Sequence, residues 1–299
     1  MRSTAALSAL AIAGTLAVAG PASASTLAVG PDGTLHFSAG PGETNHVDLS
    51  DLVSSAQTVV TDTGSIITVG AGCVQVTAHQ ATCPLPGFSQ DVAIDLGDRD
   101  DFAHAFKLGF GHVAIDGGPG ADTIEDLPQS GADVTGGPGD DTITVHPNGG
   151  GSVDVHGDAG SDTISAIAGA GVVRGDAGAD RISLTSFVEP FPGAGSAAYG
   201  GAGADTITAD GGTGMSLIDG GLGDDTISTG ALAQVARFVG GPGADSITSL
   251  NGTSQIAGGL GADVIDGGGD GDTIDCGLGL DRFVSYPGDT VAGCEIALP

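Results

Sequence analysis

Ten aspartates in this chain recur in a setting that suits them to bind a metal. Asp122, Asp141, Asp162, Asp180, Asp205, Asp225, Asp245, Asp263, Asp272 and Asp281 each stand sixth in an eight-residue motif that ends, two places later, on an aliphatic or aromatic residue. The clearest copies read GGPGADTI from Gly117, GGPGDDTI from Gly136, GGAGADTI from Gly200, GGLGDDTI from Gly220 and GGPGADSI from Gly240. Glycine tolerates positive backbone dihedrals, so such a segment can turn tightly and direct its carbonyls inward. The aspartate adds a hard, charged oxygen to them. Calcium takes about six to eight oxygen ligands, more than one such turn supplies, whereas two stacked turns can supply them.

The motif resembles the hemolysin-type calcium-binding repeat, or RTX repeat, over roughly residues 92–284. The resemblance implies an all-β fold, a right-handed parallel β-roll or β-solenoid with several Ca2+ ions held between consecutive loops. It also implies that the ten aspartates are the metal ligands. Two features depart from that family, whose members usually lack cysteine and a cleaved N-terminal leader. This chain has four cysteines and an apparent leader, so pore formation is not carried over.

The spacing of the aspartates shows how the elements must position them. Successive steps are 19, 21, 18, 25, 20, 20, 18, 9 and 9 residues. A roll coil takes about two nonapeptides, so steps near 18–20 place one motif per coil, mainly on one edge, and only Asp272 falls on the opposite edge. A strand follows each turn (Ile124, Ile143, Ile164, Ile182, Ile207, Ile227, Ile247). Another precedes it (Ile115, Val134, Val155, Val173, Ala198, Ile218, Phe238, Ile256, Ile265, Ile274), and both send one side chain inward. Irregular turns are expected opposite, at Pro147–Gly149, Gly169–Gly171, Gly211–Gly214 and Asn251-Gly252, with a bulging loop at Pro190–Gly193. One coil upstream, Ile94 and Asp101 continue the pattern, but Arg99 replaces a turn glycine, which predicts a capping coil with a damaged or absent metal loop.

The expected organisation is a signal peptide over 1–24, an N-terminal β cap over 25–91, the calcium-binding roll over 92–284, and a C-terminal tail over 285–299 stapled by a disulfide. Arg2, the apolar run Ala5–Ala19 and Ala22-Ser23-Ala24 form the leader signature, so the mature chain would start at Ser25 and be secreted to the extracellular space. Four cysteines in a secreted chain allow three disulfide connectivities, and sequence proximity favours Cys73–Cys83 and Cys276–Cys294. No other segment is apolar enough to span a membrane.

The net charge of −30, from 37 acids against seven basic residues, disfavours nucleic acid and anionic lipid as partners. Glutamates number four, so the acidity is tied to aspartate and to turn geometry rather than spread over a generic surface. There is no H-E-x-x-H and no G-x-S-x-G, and the seven histidines are scattered, so the chain is read as not an enzyme. A second reading is a surface-binding solenoid. Outward Thr and Ser beside each inward isoleucine, as in Thr142-Ile143-Thr144, would present an array to an extracellular polysaccharide, a cell surface or ice, interrupted by Glu125, Arg181, Val264 and Asp266. The leading expectation is metal-coupled folding. Stacked carboxylates repel by several kcal/mol at intermediate dielectric, so the roll needs Ca2+ between its turns before it closes.

Overall fold

The computed structural model describes residues 24–52, 57–84, 91–106, 111–126, 131–146, 151–186, 195–211, 213–230, 234–235, 237–250, 253–269 and 271–299. All but the last residue of the expected leader, the turns expected at Pro147–Gly149 and Asn251-Gly252, and the loop at Pro190–Gly193 lie outside them. Among the described residues the fold is all-β, a parallel β-solenoid built from two fifteen-stranded sheets. No helix among them is long and apolar enough to cross a membrane.

Each coil contributes one strand to each sheet. The strands entering the motif turns run from His112–Asp116 and Gly131–Pro138 through Ser152–Ala159, Ala170–Ala177 and Ser196–Ala202 to Thr273–Leu278 and Thr290–Ala292. Those leaving run from Thr123–Asp126 and Thr142–Val145 through Thr163–Ala168, Arg181–Ser186 and Thr206–Gly211 to Arg282–Val284 and Ile296–Ala297. Pairing keeps like residues in line. Ile124, Ile143, Ile164, Ile182, Ile207, Ile227, Ile247 and Ile265 are partners in consecutive coils. Ile115, Val134, Val155, Val173, Ala198, Ile218, Phe238, Ile256 and Ile274 form the facing column. These residues are buried and belong to one continuous core, and burying each aliphatic side chain stabilises the stack by about 1.5–3 kcal/mol. A one-residue slip would turn a whole column outward, so the register is fixed by the core.

The N-terminal region extends the same sheets. Strands β1 (Ser25–Val29), β2 (Leu35–Ser38), β3 (His46–Leu52) and β4 (Gln57–Asp62) are followed by β5 (Ile67–Val69), β6 (Val74–Thr77) and β7 (Gln80–Pro84). β2 and β3 pair in parallel with the next coil's Val92–Asp95 and Phe102–Phe106. β4, β6 and β7 add antiparallel pairs beyond β3, which covers an edge that would otherwise template further strands. At the other end, residues 285–299 add Thr290–Ala292 and Ile296–Ala297 as one further parallel coil. Disulfides join Cys73 to Cys83 and Cys276 to Cys294.

The edge opposite the motif turns holds a surprise at Gly169–Gly171. Thr163–Ala168 and Ala170–Ala177 are separated by Gly169 alone, so the chain turns a corner there rather than forming a three-residue loop.

Candidate metal centre

Along one edge the aspartates form a hydrogen-bonded ladder. Asp101 N–H donates to Asp122 Oδ1 (2.8 Å), Asp122 N–H to Asp141 Oδ1 (2.7 Å) and Asp141 N–H to Asp162 Oδ1 (2.8 Å). The pattern continues through Asp180, Asp205, Asp225, Asp245, Asp263 and Asp281 at 2.8–2.9 Å. Each carboxylate therefore spends Oδ1 on the backbone of the preceding coil. Its Oδ2 is buried and has no hydrogen-bond partner in Asp101, Asp122, Asp141, Asp162, Asp180, Asp205, Asp225, Asp245, Asp263 or Asp281. Leaving a buried charged acceptor unsatisfied costs several kcal/mol unless a cation or proton meets it.

The turn glycines set what surrounds that oxygen. A β-carbon added at Gly117 would lie 2.6 Å from Asp122 Oδ2 and 2.5 Å from the carbonyl oxygen of Gly136. The same pair of oxygens, one from the coil's own aspartate and one from the next coil's first motif residue, crowds Gly136, Gly157, Gly175, Gly200, Gly220, Gly240 and Gly258. The first glycine thus keeps open a space lined by a carboxylate and a carbonyl. Such an all-oxygen donor set fits a hard divalent cation, calcium above all.

Electrostatics agree. Burial pushes the carboxyls up, to about 6 for Asp122, Asp141, Asp205 and Asp245 and to about 7 for Asp162 and Asp225; the preceding coil's N–H opposes the rise and neighbouring aspartates add to it. Asp180 and Asp263 are raised for the same leading reason.

Nine of the ten sequence-predicted aspartates thus share one edge. The tenth, Asp272, stands opposite, where its Oδ1 accepts from Ser254 N–H (2.7 Å) and its own N–H donates to Asp289 Oδ1 (2.9 Å). Sequence reasoning placed Asp101 in the pattern and missed three further ladder members, Asn45, Asp289 and Glu295. Asp101 has the same geometry as its successors although Arg99 replaces a glycine, because Arg99 itself adopts a positive φ of 106°. The aspartate of that coil is therefore in place and its loop is not damaged there; the difference lies at the first motif place, where buried Leu96 replaces glycine. Asn45 precedes Asp101, donating its N–H to Asp101 Oδ1 (2.6 Å). Glu295 Oε2 follows Asp281 (3.0 Å) and Asp289 follows Asp272. The only sequence signals were Gly40-Pro41-Gly42 before Asn45 and Pro287-Gly288 before Asp289.

With this geometry established, family comparison adds the decisive observation. The RTX calcium-binding nonapeptide repeat matches in four copies, over residues 156–185 and 239–274. The chain carries RTX calcium-binding repeats. No curated protein and no solved structure matches. The ladder reaches beyond the matched segments, since Asp122, Asp141, Asp205 and Asp225 repeat the arrangement of Asp162 and Asp245.

One histidine departs from the scattered pattern. His156 Nδ1 lies 2.8 Å from Asp176 Oδ2, and His156, Asp158 and Asp176 gather on consecutive coils. Asp158 and Asp176 occupy the second-glycine place with φ of 70° each. Arg174 sits 3.2 Å from His156 Nε2 and 2.9 Å from Asp154, so this group holds its own counter-charge.

Proposed function

We propose that the mature chain is a secreted calcium-binding solenoid whose roll closes when Ca2+ enters between stacked turns. The ligands are Oδ2 of Asp122, Asp141, Asp162, Asp180, Asp205, Asp225, Asp245, Asp263 and Asp281, with Asp272 serving the opposite edge. The observation that carries this reading is the column of buried, unpartnered Oδ2 atoms beside glycine carbonyls. When bound, calcium supplies the positive charge those oxygens lack; the chain's own residues fix the oxygens in place and keep the gap open. Without it, like charges stack at each coil and glycine-rich turns lose much conformational entropy on ordering. Two disulfides suit an oxidising compartment, in line with export. Equilibrium dialysis with radioactive calcium tests the reading: several ions per chain are expected, with affinities on the order of 10⁻⁴–10⁻³ M as in extracellular modules. Fewer than two bound ions at millimolar calcium would sink it.

A second reading rests on the outer face of the sheet that leaves the motif turns. Thr144, Ser165, Ser183, Thr208, Ser228 and Thr248 are partners in consecutive coils and form an uninterrupted hydroxyl row between Glu125 and Asp266. Such a row suits an extracellular polysaccharide, a cell surface or ice. Binding on a glycan array or thermal hysteresis, abolished by Thr208→Lys with Ser228→Lys, supports it; neither signal in the calcium-loaded protein counts against it.

A further inference from the structure

Three buried oxygens share one hydroxyl hydrogen where β1 begins. Ser25 Oγ lies 2.9 Å from Glu43 Oε2, 3.0 Å from Asn45 Oδ1 and 3.4 Å from Asp62 Oδ2. Serine can donate to only one of them. Backbone groups meet part of the demand: Gly40 N–H donates to Glu43 Oε2 at 2.9 Å, and Asp62 Oδ1 accepts from His46, Gly64 and Ser65. Asn45 Nδ2 donates to the Leu96 carbonyl at 3.2 Å, which turns its oxygen towards Ser25. None of these donors carries a full positive charge. Ser25 and Asp62 are 0% exposed, Asn45 1% and Glu43 7%. Among the described residues no lysine, arginine or histidine side chain forms an ion pair with Glu43 or Asp62. Buried carboxylates without a counter-charge are costly.

The sequence brings a cation to this spot. Ala22-Ser23-Ala24 is the expected end of the leader, and Ser25 is the residue its removal leaves first. Hydrolysis of the Ala24–Ser25 peptide bond adds one water and leaves a carboxylate on Ala24 and an α-ammonium on Ser25. An α-amino group, with an ordinary pKa of about 7.7–8.0, is mostly protonated at neutral pH. Covalent geometry keeps the nitrogen and Oγ of one serine within about 4 Å of each other, so the ammonium arises beside the oxygens around Oγ. It adds N–H donors and a positive charge to a group short of both. A cleavage signature at residues 22–24 and an acidic pocket built by residues 43, 45 and 62 thus meet on one residue.

We propose that Glu43, Asn45 and Asp62 form a receptor site for the chain's own α-ammonium, so that leader removal after Ala24 completes the N-terminal cap. The proposal rests on the reading that the exported chain starts at Ser25. β1 lies between β2, its antiparallel partner, and β5, with which it pairs in parallel from Ser25 opposite Ile67. Holding Ser25 therefore holds β1 in its sheet. While the leader is attached, the same nitrogen is an uncharged amide and the two carboxylates lack a counter-charge, so the cap stays loose until cleavage. The site needs no calcium of its own and is independent of the ladder.

The test compares two calcium-loaded proteins. One is the chain expressed with its leader and exported, its start read by intact mass. The other is the same chain made with Ala24 retained, which keeps Ser25 Oγ and moves the ammonium one residue away. Hydrogen exchange in β1 and β2 should be about tenfold or more slower in the Ser25-starting chain. Acylation of its α-amino group should be about tenfold or more slower than in the unfolded chain. Glu43→Gln and Asp62→Asn should each remove that protection in the Ser25-starting chain and change little in the Ala24 chain, a coupling that packing alone would not give. Labelling of the parent amine needs no variant and serves if the substitutions do not fold. Equal exchange in the two chains, or an amine labelled as fast as in the unfolded chain, would overturn this proposal alone. A retained leader or a start at any other residue would overturn the leader reading and the proposal together.

Discussion

The two edges of this solenoid solve different problems. On the ladder edge, from Asp101 to Asp281, every coil repeats one turn, one carboxylate and one backbone hydrogen bond to the coil before. On the opposite edge the connections differ from coil to coil, down to the lone Gly169, until Ser254, Asp272 and Asp289 form a short second ladder near the C-terminus. The ladder edge is constrained because each carboxylate must reach a backbone N–H with one oxygen and face a carbonyl with the other. Before Ser254 the opposite edge has only to reverse the chain, so it absorbs the variation in coil length. Chemistry sits where geometry is copied, and length variation sits where it is not.

The comparison can be broken most severely at a ladder-edge glycine. Gly223 has φ of 128°, and a β-carbon there would run into the Gly203 carbonyl. Gly223→Ala should cost about 3 kcal/mol or more by chemical denaturation in calcium. Gly271, on the other edge, has φ of 93° but its nearest neighbour would lie 3.7 Å away, so Gly271→Ala should cost only about 1–2 kcal/mol of backbone strain. Equal losses would erase the distinction between the edges.

Next in size is the central ligand. Asp225→Asn keeps an oxygen for the Asp205 N–H but replaces the unpartnered one with a donor. Calcium-loaded stability should fall by about 2–4 kcal/mol, and the calcium midpoint should rise about tenfold. Asp210→Ala, at an exposed site on the opposite edge, should stay within about 0.5 kcal/mol of the parent.

A pH titration sharpens the same contrast. The ladder carboxyls are pushed up by burial to about 6 or 7, above the ordinary value of 3.8 that they regain on unfolding. The folded state therefore holds more protons than the unfolded one between those limits, and its stability falls as pH rises through them. Metal-free protein should gain β-structure by circular dichroism on acidification from pH 7.5 to about 4.5, and calcium affinity should rise with pH over the same window. Gain of structure with rising pH in chelator would reverse the sign and refute the origin of the shift.

The most local expected effect concerns the last coil. Reducing Cys276–Cys294, which spans 18 residues, should loosen the strands beyond Arg282 by about 2–4 kcal/mol and leave exchange in the coils near Asp141 unchanged.

Much of this was legible in the sequence because a solenoid writes its structure locally. Aspartate spacing gave the coil, the isoleucine columns gave the sheets, and the nine-residue step to Asp272 gave the opposite edge. Asn45, Asp289 and Glu295 were hidden because their turns lack the leading glycine pair, while strand pairing alone carries them into the ladder. Arg99 misled because a positive φ is costly but not forbidden outside glycine.

The central claim is that the ladder carboxylates need divalent ions before the coils can stack. Far-UV circular dichroism of the protein at neutral pH, in excess chelator and then in millimolar calcium, tests it directly. The predicted result is little β-structure in chelator and its cooperative appearance on adding calcium, with magnesium much less effective. Full β-structure in chelator, unchanged by calcium, would contradict it.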